Sequence, residues 1–294
     1  MGPMAMGGMR LTLVLAGLLL LLGGTACGER AEPTGSLVQV YPVTVQGAGD
    51  QSTVAKAVPR RIVPLGAGPR RLLKALGLQR RTVIVNDTLV GLPLVGEIRR
   101  AHPDLIVASS DTDPLDLARA RTATHAAIYV EPDNSLEDVV EATGDVGLLT
   151  NQPVAARRVT AAIQRTRRAV AARLAGTPPV SVFVDTGDFS TVPSRSLLGD
   201  LITEAHGENV AGPSPEPGPF PLRRLAQLDP DVYLATAGSG RTLAGLRAHA
   251  ETKQLRAVKS GRLGVLPPGT AVAGPAVGKS LVEVARILHP DAFR

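Results

Sequence analysis

The feature that most constrains the fold of this chain is one long stretch of helical pattern at residues 151–176. Thr150 and Asn151 are residue types that cap helix N-termini, Pro153 suits the first turn, and Gly176 is a common helix stop. One narrow face carries a residue at helical spacing throughout: Val159, Ile163, Thr166, Val170 and Leu174. Such a helix would be roughly 35 Å long, about the span of a small domain. It must therefore separate two parts of the fold.

Short apolar strands alternate with helices on both sides of this stretch, which is typical of parallel sheets covered by helices. Before it, we predict strands at 61–65, 82–85, 105–108 and 126–130, with helices at 69–76, 97–101, 113–122 and 136–143. After it, we predict strands at 180–184, 232–235 and 263–266, with helices at 197–205, 243–250 and 280–288. The motifs His102-Pro103-Asp104 and Asp229-Pro230-Asp231 each precede a hydrophobic strand. The sequence therefore predicts an α/β fold of two Rossmann-like lobes, residues 58–150 and 177–294, with one rigid linking helix at 151–176 and a ligand cleft between the lobes.

The N-terminal residues predict an exported protein. Arg10 precedes an apolar run at 11–22 that is too short for an ordinary membrane span. Small residues then lead to Cys27, the only cysteine of the chain, and this arrangement resembles a bacterial lipoprotein signal. Ordinary cleavage after Ala26 is the alternative, but it would leave an unpaired thiol on a secreted protein. We expect a signal peptide at 1–26, lipidation at Cys27 and a polar tether at 27–57 containing one strand at 37–45.

Composition and motifs argue against several other functions. The net charge is +6, but the chain has no Trp, three Tyr and four Phe, so no aromatic residues accompany the arginines to stack nucleic-acid bases. A near-match to a phosphate-binding loop at 273–280 has Ala273 in place of its first glycine, and Pro275 removes a backbone N–H. The five histidines stand without metal-site spacing, and no Ser-His-Asp arrangement is visible. We therefore expect no enzyme activity, no side-chain metal site and no nucleic-acid partner.

Asp111, Asp113 and Asp116 lie close together and could bind calcium weakly. We favour a helix N-terminus rich in acids, because the positive end of a helix dipole stabilises carboxylates.

Six segments in the same order resemble the helical-backbone (class III) periplasmic substrate-binding proteins of ABC importers for iron-siderophores, haem and vitamin B12. They are residues 59–77, 97–107, 197–211, 222–234, Gly274-Pro275 and 288–293, and the resemblance covers residues 58–294. It implies a monomer that is lipid-anchored at the outer face of the cytoplasmic membrane. It also implies a protein that captures a small-molecule metal chelate and delivers it to an ABC permease and ATPase. No covalent cofactor is implied, and a metal would enter only within the bound chelate.

Two departures from this family leave an alternative open. The segment between Val85 and Glu97, where a loop often lines the cleft, is short, and the aromatic residues that commonly floor the cleft are largely missing. A diverged envelope module with the same fold, binding a protein or cell-wall partner outside transport, fits these departures.

Candidate ligand-binding residues follow from the rule that ligands bind outside the carboxyl ends of strands in open α/β sheets. In the N-terminal lobe they are Gly66, Ala67, Gly68, Ser109 and Ser110. In the C-terminal lobe they are Asp185, Gly187, Phe189, Arg195, Gly238, Ser239, Arg241, Gly274 and Pro275. Arg195 and Arg241 are the candidates to grip an anionic ligand, because a guanidinium binds carboxylates as a fork. The alternatives are turn-forming glycines and solvated surface arginines.

The resemblance also implies acidic residues that dock to arginines of the permease. Glu97 and Glu204 lie in the corresponding helices, although each could simply be a solvent-exposed acid.

Overall fold

A computed structural model of the chain describes residues 40–212 and 219–294. The predicted signal peptide, the lipidation site at Cys27 and most of the predicted tether lie outside the described residues. None of the helices within the described residues is long and apolar enough to cross a membrane.

The N-terminal lobe (N-lobe) is built on a three-stranded parallel sheet. Its strands are β3 (Ile62–Leu65), β4 (Leu105–Ala108) and β5 (Ala127–Val130), in the order β3-β4-β5, after an antiparallel hairpin of β1 (Val43–Gly47) and β2 (Gln51–Ala55). Its helices are α1 (Ala67–Ala75), α2 (Leu92–Ala101), α3 (Pro114–Thr124) and α4 (Leu136–Leu149). Every residue of β3 and β4 is buried, because helices cover both faces of a parallel sheet.

The β1–β2 hairpin corrects the predicted tether and its single strand. Val43, Val45 and Ala55 lie in the N-lobe core, and the Thr53 hydroxyl donates to the carbonyl oxygen of Ile128 at 2.7 Å. One face of the hairpin is buried because its apolar side chains alternate along the strand. A tether extending to residue 57 is therefore wrong, since the N-lobe begins near residue 43.

The strand predicted at residues 82–85 is also wrong. Only Thr82 pairs with Ile62 in an isolated bridge, and the Val83 N–H donates to the Ile62 carbonyl oxygen at 2.9 Å. The chain then leaves the sheet, so that Ile84 is 62% exposed. A run of β-branched residues does not form a strand when its backbone has no continuing partner.

The C-terminal lobe (C-lobe) carries a four-stranded parallel sheet in the order β7-β6-β8-β9. Its strands are β6 (Val180–Asp185), β7 (Gly207–Asn209), β8 (Val232–Thr236) and β9 (Leu263–Leu266). The linking helix, α5, runs over Pro153–Leu174, and the C-lobe helices are α6 (Leu197–Glu204), α7 (Leu222–Leu228), α8 (Leu243–Ala248), α9 (Arg256–Lys259) and α10 (Val277–Leu288). The prediction of an α/β fold with two lobes and a long linking helix is confirmed.

The repeated Pro-Asp motif performs the same structural task in both lobes. His102 and Asp229 end their helices in the left-handed conformation, with φ of 45° and 40°. The Asp104 carboxylate accepts the backbone N–H of Arg61 at 2.9 Å, just before β3. The Asp231 carboxylate accepts the N–H of Ser181 at 3.0 Å, within β6. Each motif therefore ends a helix and fastens the start of a neighbouring strand.

The linking helix shares buried side chains with both lobes. Ala156 packs in the N-lobe core, whereas Ile163 and Val170 pack in a cluster that joins Leu136 of α4 to the C-lobe. On the surface of the helix, Arg167 binds one carboxylate of each lobe. These are Glu137 of α4, at 3.1 Å, and Glu204 of α6, at 2.6 and 2.9 Å. Both lobes and the helix accordingly form one compact unit.

Candidate functional site

The loops that follow the strands of the two lobes meet each other. A Cβ placed on Gly68, just after β3, would lie 2.8 Å from the carbonyl oxygen of Ala273, in the segment after β9. A Cβ on Gly274 would lie 3.5 Å from the Gly68 carbonyl oxygen. The carboxyl ends of the two sheets thus face one another across a cleft, which is where ligands bind in open α/β sheets.

The N-lobe side of this cleft carries several aspartates, of which Asp87 is ion-paired with Arg70 and Asp116 with Arg119. The Gly66 N–H donates to Asp87 at 2.8 Å, and the Ser109 hydroxyl hydrogen-bonds to Asp111. A cavity of about 160 Å³ lies here, lined by residues that include Asp87, Asp111, Asp113 and Asp116. Asp113 caps α3 by accepting the Leu115 N–H at 2.8 Å, which confirms the helix N-terminus interpretation of this acidic group. No cluster of three or more potential metal ligands occurs within the described residues.

Glu131 is a cleft-edge residue that the sequence reasoning missed. It follows β5 directly, is 3% exposed, and its Oε1 has no hydrogen-bond partner among the described residues. A Cβ on Gly68 would lie 3.4 Å from Glu131 Oε2, so the carboxyl group sits beneath the contact between the lobes. Burial, assisted by the negative charge of Asp133, raises the pKa of Glu131 to about 8. Its position directly after a predicted strand was the signal that could have found it.

Asp185 and Arg241, both predicted as ligand-binding residues, pair with each other in a cluster of the C-lobe. The Asp185 carboxylate, with no exposed surface, accepts the Tyr233 hydroxyl at 2.6 Å, Arg241 Nε at 2.6 Å and the Gly187 N–H at 2.8 Å. The Arg241 guanidinium also stacks on the Phe189 ring at 4.0 Å. These contacts occupy the Asp185 carboxylate. Its negative charge neutralises the Arg241 guanidinium group, which was predicted to bind an anion.

The C-lobe side of the cleft contains a larger cavity of about 510 Å³. Its lining residues are Leu198, Thr236, Ala237, Gly238, Leu266, Pro267, Pro268, Gly269, Thr270, Ala271 and Val272. Among the described residues, no charged side chain lines this cavity. The cleft therefore presents an uncharged C-lobe cavity beside the Arg71 guanidinium group, opposite an N-lobe edge at which Arg70 neutralises Asp87.

Of the remaining predicted site residues, some line the larger cavity and others form turns. Gly238 lines the larger cavity, whereas the Ser239 hydroxyl donates to the Thr236 carbonyl oxygen at 2.7 Å within a turn. The Ser110 hydroxyl donates to Asp133 at 2.6 Å. Ala67 and Arg195 are exposed and Pro275 is half-buried.

The two residues predicted to dock to a permease are both engaged within the chain. Glu204 binds Arg167 through both carboxylate oxygens, at 2.6 and 2.9 Å, and is held against the linking helix. Glu97 forms a one-turn ion pair with Arg100 at 2.8 Å on the surface of α2. This geometry argues against docking through Glu204, because an arginine of the same chain already occupies its carboxylate.

Replacing Gly68 by alanine should push the two lobes apart. The new methyl group would clash with the Ala273 carbonyl oxygen, so we expect the free energy of unfolding to fall by about 1–3 kcal/mol in urea titrations. The matched control is Gly96→Ala in α2, where a Cβ meets nothing within 4 Å and a gain of up to about 1 kcal/mol is expected. Equal effects of the two substitutions would contradict the close contact of the lobes.

Comparisons with known proteins agree with this architecture, which is that of a two-lobed binding protein with a helical linker. Residues 90–270 match the family described as Periplasmic binding protein, and the chain belongs to this family. It is 21% identical over 310 residues to an ABC transporter substrate-binding lipoprotein, YvrC, of Bacillus subtilis, with 96% of each chain covered. It is 23% identical over 222 residues to a cobalamin-binding protein of Halobacterium salinarum, covering 68% of this chain and 60% of that protein.

Solved structures show the same fold. Helicobacter pylori CeuE with Ni(II) bound superposes with a TM-score of 0.73 at 15% identity, covering 85% of this chain and 90% of that one. The heme-binding protein HmuT superposes with a TM-score of 0.66 at 21% identity, with 85% and 90% coverage. The resemblance predicted from the sequence is confirmed: the chain is a substrate-binding protein of an ABC transporter, a transport family and not an enzyme class.

Proposed function

We propose that this protein, lipid-anchored through Cys27 at the outer face of the cytoplasmic membrane, captures a corrinoid, haem or iron-siderophore and delivers it to its ABC permease. The observation that carries the proposal is the cleft between the carboxyl ends of the two sheets, with a cavity of about 510 Å³ on its C-lobe side that is lined by uncharged C-lobe residues. The lipoprotein from Bacillus subtilis supports the anchored location. The chain itself supplies no cofactor, and any metal enters inside the ligand.

Within this ligand class, the charges of the cleft favour a corrinoid. Haem carries two carboxylates and many ferric siderophore complexes are anionic, so both need unpaired cations in the cleft. Here Arg241 is paired with Asp185 and Arg70 with Asp87, which leaves the exposed Arg71, whose guanidinium group lies beside Gly269, to meet an anionic ligand. A corrinoid presents neutral amides around its ring, which need hydrogen-bond partners in the cleft but no cations. The cobalamin-binding relative also supports a corrinoid over haem or a siderophore.

Calorimetric titration of the full chain with cobalamin, haemin and ferric siderophores tests the proposal. We expect saturable binding of cobalamin and weaker or no binding of the anionic ligands. Binding of haemin or a siderophore alone would overturn the corrinoid preference but keep the chelate class. No binding of any of them would overturn the whole ligand class and favour an envelope interaction module.

A substitution in the cavity makes the titration specific to the cleft. Gly238→Phe places a large side chain in open space of the larger cavity, and we expect affinity to fall about tenfold or more, a change of about 1.4 kcal/mol or more. The matched control is Gly144→Phe on the outer side of α4, where a Cβ also meets nothing within 4 Å. Equal affinities of the two variants would place binding outside this cavity.

A further inference from the structure

The surface of the linking helix that faces away from the lobes is strongly basic. Arg157, Arg158, Arg165 and Arg168 are all exposed, and we call this set the arginine face. At about 100° per residue they fall within an arc of about 100°, centred opposite the buried Ile163. The helix contains no acidic residue.

The arginine face is free of internal neutralisation within the described residues. No ion pair or side-chain hydrogen bond there involves any of its four guanidinium groups, whereas Arg167 on the flank of the same helix binds Glu137 and Glu204. Arg173, near the C-terminal end, stacks on the Phe293 ring at 5.2 Å. The helix thus uses two arginines for internal contacts and presents four to the exterior.

The part of the chain that carries the proposed anchor joins the fold beside this helix. The Tyr41 hydroxyl donates to the Leu149 carbonyl oxygen at 3.0 Å, and α5 begins at Pro153, four residues further on. Tyr41 lies fourteen positions after Cys27, a span of at most about 50 Å when the chain is fully extended. A membrane anchor at Cys27 would therefore keep the first turns of α5 within reach of the lipid surface.

We propose that the arginine face binds the phosphate groups of anionic phospholipids and orients the protein on its membrane. Guanidinium groups bind phosphate oxygens as a planar fork. The negative surface potential of an anionic bilayer adds favourable binding free energy for each arginine near the surface. This inference rests on the lipid-anchored location proposed above. A nucleic acid fits the face less well, because alanines and no aromatic residues lie between the arginines.

The test measures the accessibility of individual arginines in the full acylated chain. The protein is incorporated into two kinds of vesicle. One contains phosphatidylcholine alone, and the other also contains roughly 30–40% phosphatidylglycerol, which gives the vesicle a strongly negative surface. Modification by phenylglyoxal is then followed by peptide mass spectrometry. We expect modification of the arginine face to slow about fivefold or more in anionic vesicles, and high salt to abolish the protection. The exposed Arg99 and Arg195 serve as internal references whose rates should not change.

Two variants with the same change in net charge distinguish lipid binding by the arginine face from attraction that depends only on the net charge of the protein. The first replaces its four arginines by glutamine, and the control replaces the exposed Arg60, Arg80, Arg99 and Arg195 by glutamine. In flotation of these chains prepared without the acyl group, we expect only the first variant to lose the preference for anionic vesicles. Equal losses, equal protection in both lipids, or protection by soluble polyphosphate without lipid would overturn the inference.

The outcome is independent of the ligand assignment. If the full chain proved to carry no acyl anchor, it would not float with phosphatidylcholine vesicles, and this result would contradict the anchored location. Its flotation with anionic vesicles, and the loss of that flotation in the first variant, would still decide whether the arginine face binds lipid.

Discussion

Replacing Ile163 by aspartate should destabilise both lobes in a single transition. Ile163 is 2% exposed and belongs to a hydrophobic cluster that includes Leu136 from the N-lobe and Val284 from the C-lobe. An unpaired carboxylate at this point would lose the apolar contacts and place a charge in a dry core. Both effects are among the most destabilising of single substitutions, and we expect a loss of about 4–5 kcal/mol.

Differential scanning calorimetry of the purified chain measures this effect. Ile163→Val, which removes one methylene group from the same site, should cost only about 1 kcal/mol. Arg165→Asp introduces an aspartate two positions further on, where the side chain is exposed, and should change the transition little. Two separate transitions, one of them unchanged by Ile163→Asp, would show that the lobes unfold independently. Val170, which is 2% exposed in the same cluster, should respond to aspartate in the same way.

Local patterns predicted the architecture because helix and parallel strand leave different periodicities in a sequence. The linking helix was placed within two residues at each end, since Pro153 and Gly176 bound a regular apolar face. The β1–β2 hairpin was missed because its burial depends on contact with β5 and α4, which are distant in sequence. The run at residues 82–85 was overpredicted for the same reason, because strand propensity does not reveal whether a partner backbone continues beside it.

The edges of the cleft were predicted, but the roles of their charged residues were not. The strand-end rule placed Gly68 and Gly274 correctly at the contact between the lobes. It could not show that Asp185 and Arg241, 56 residues apart, neutralise each other, because pairing requires knowledge of which loops are adjacent. Glu131 directly follows the strand predicted at 126–130, so the same rule could have placed it at this edge, but its burial beneath Gly68 depends on contacts between loops that are distant in the sequence.

Glu131 makes the stability of the folded protein depend on pH. Its pKa is raised from 4.5 to about 8, so the folded protein holds a proton that the unfolded chain releases. The stability that this proton supplies is complete below about pH 4.5 and is lost as the pH rises through 8. The full difference corresponds to up to roughly 4–5 kcal/mol. The cause is the burial of the carboxyl group beneath Gly68, aggravated by the neighbouring Asp133.

Glu131→Gln should therefore raise the free energy of unfolding by a few kcal/mol at pH 8.5 and change it little near pH 5. Urea titrations of both proteins across this range measure the difference, with the exposed Glu141→Gln of α4 as the control. The pKa of Asp145 is also raised, to about 6, but it is present in both proteins and cancels in the comparison. A constant difference at every pH would mean that Glu131 is ionised in the folded state throughout. Its carboxylate would then need a cation or a hydrogen-bond donor at the contact between the lobes.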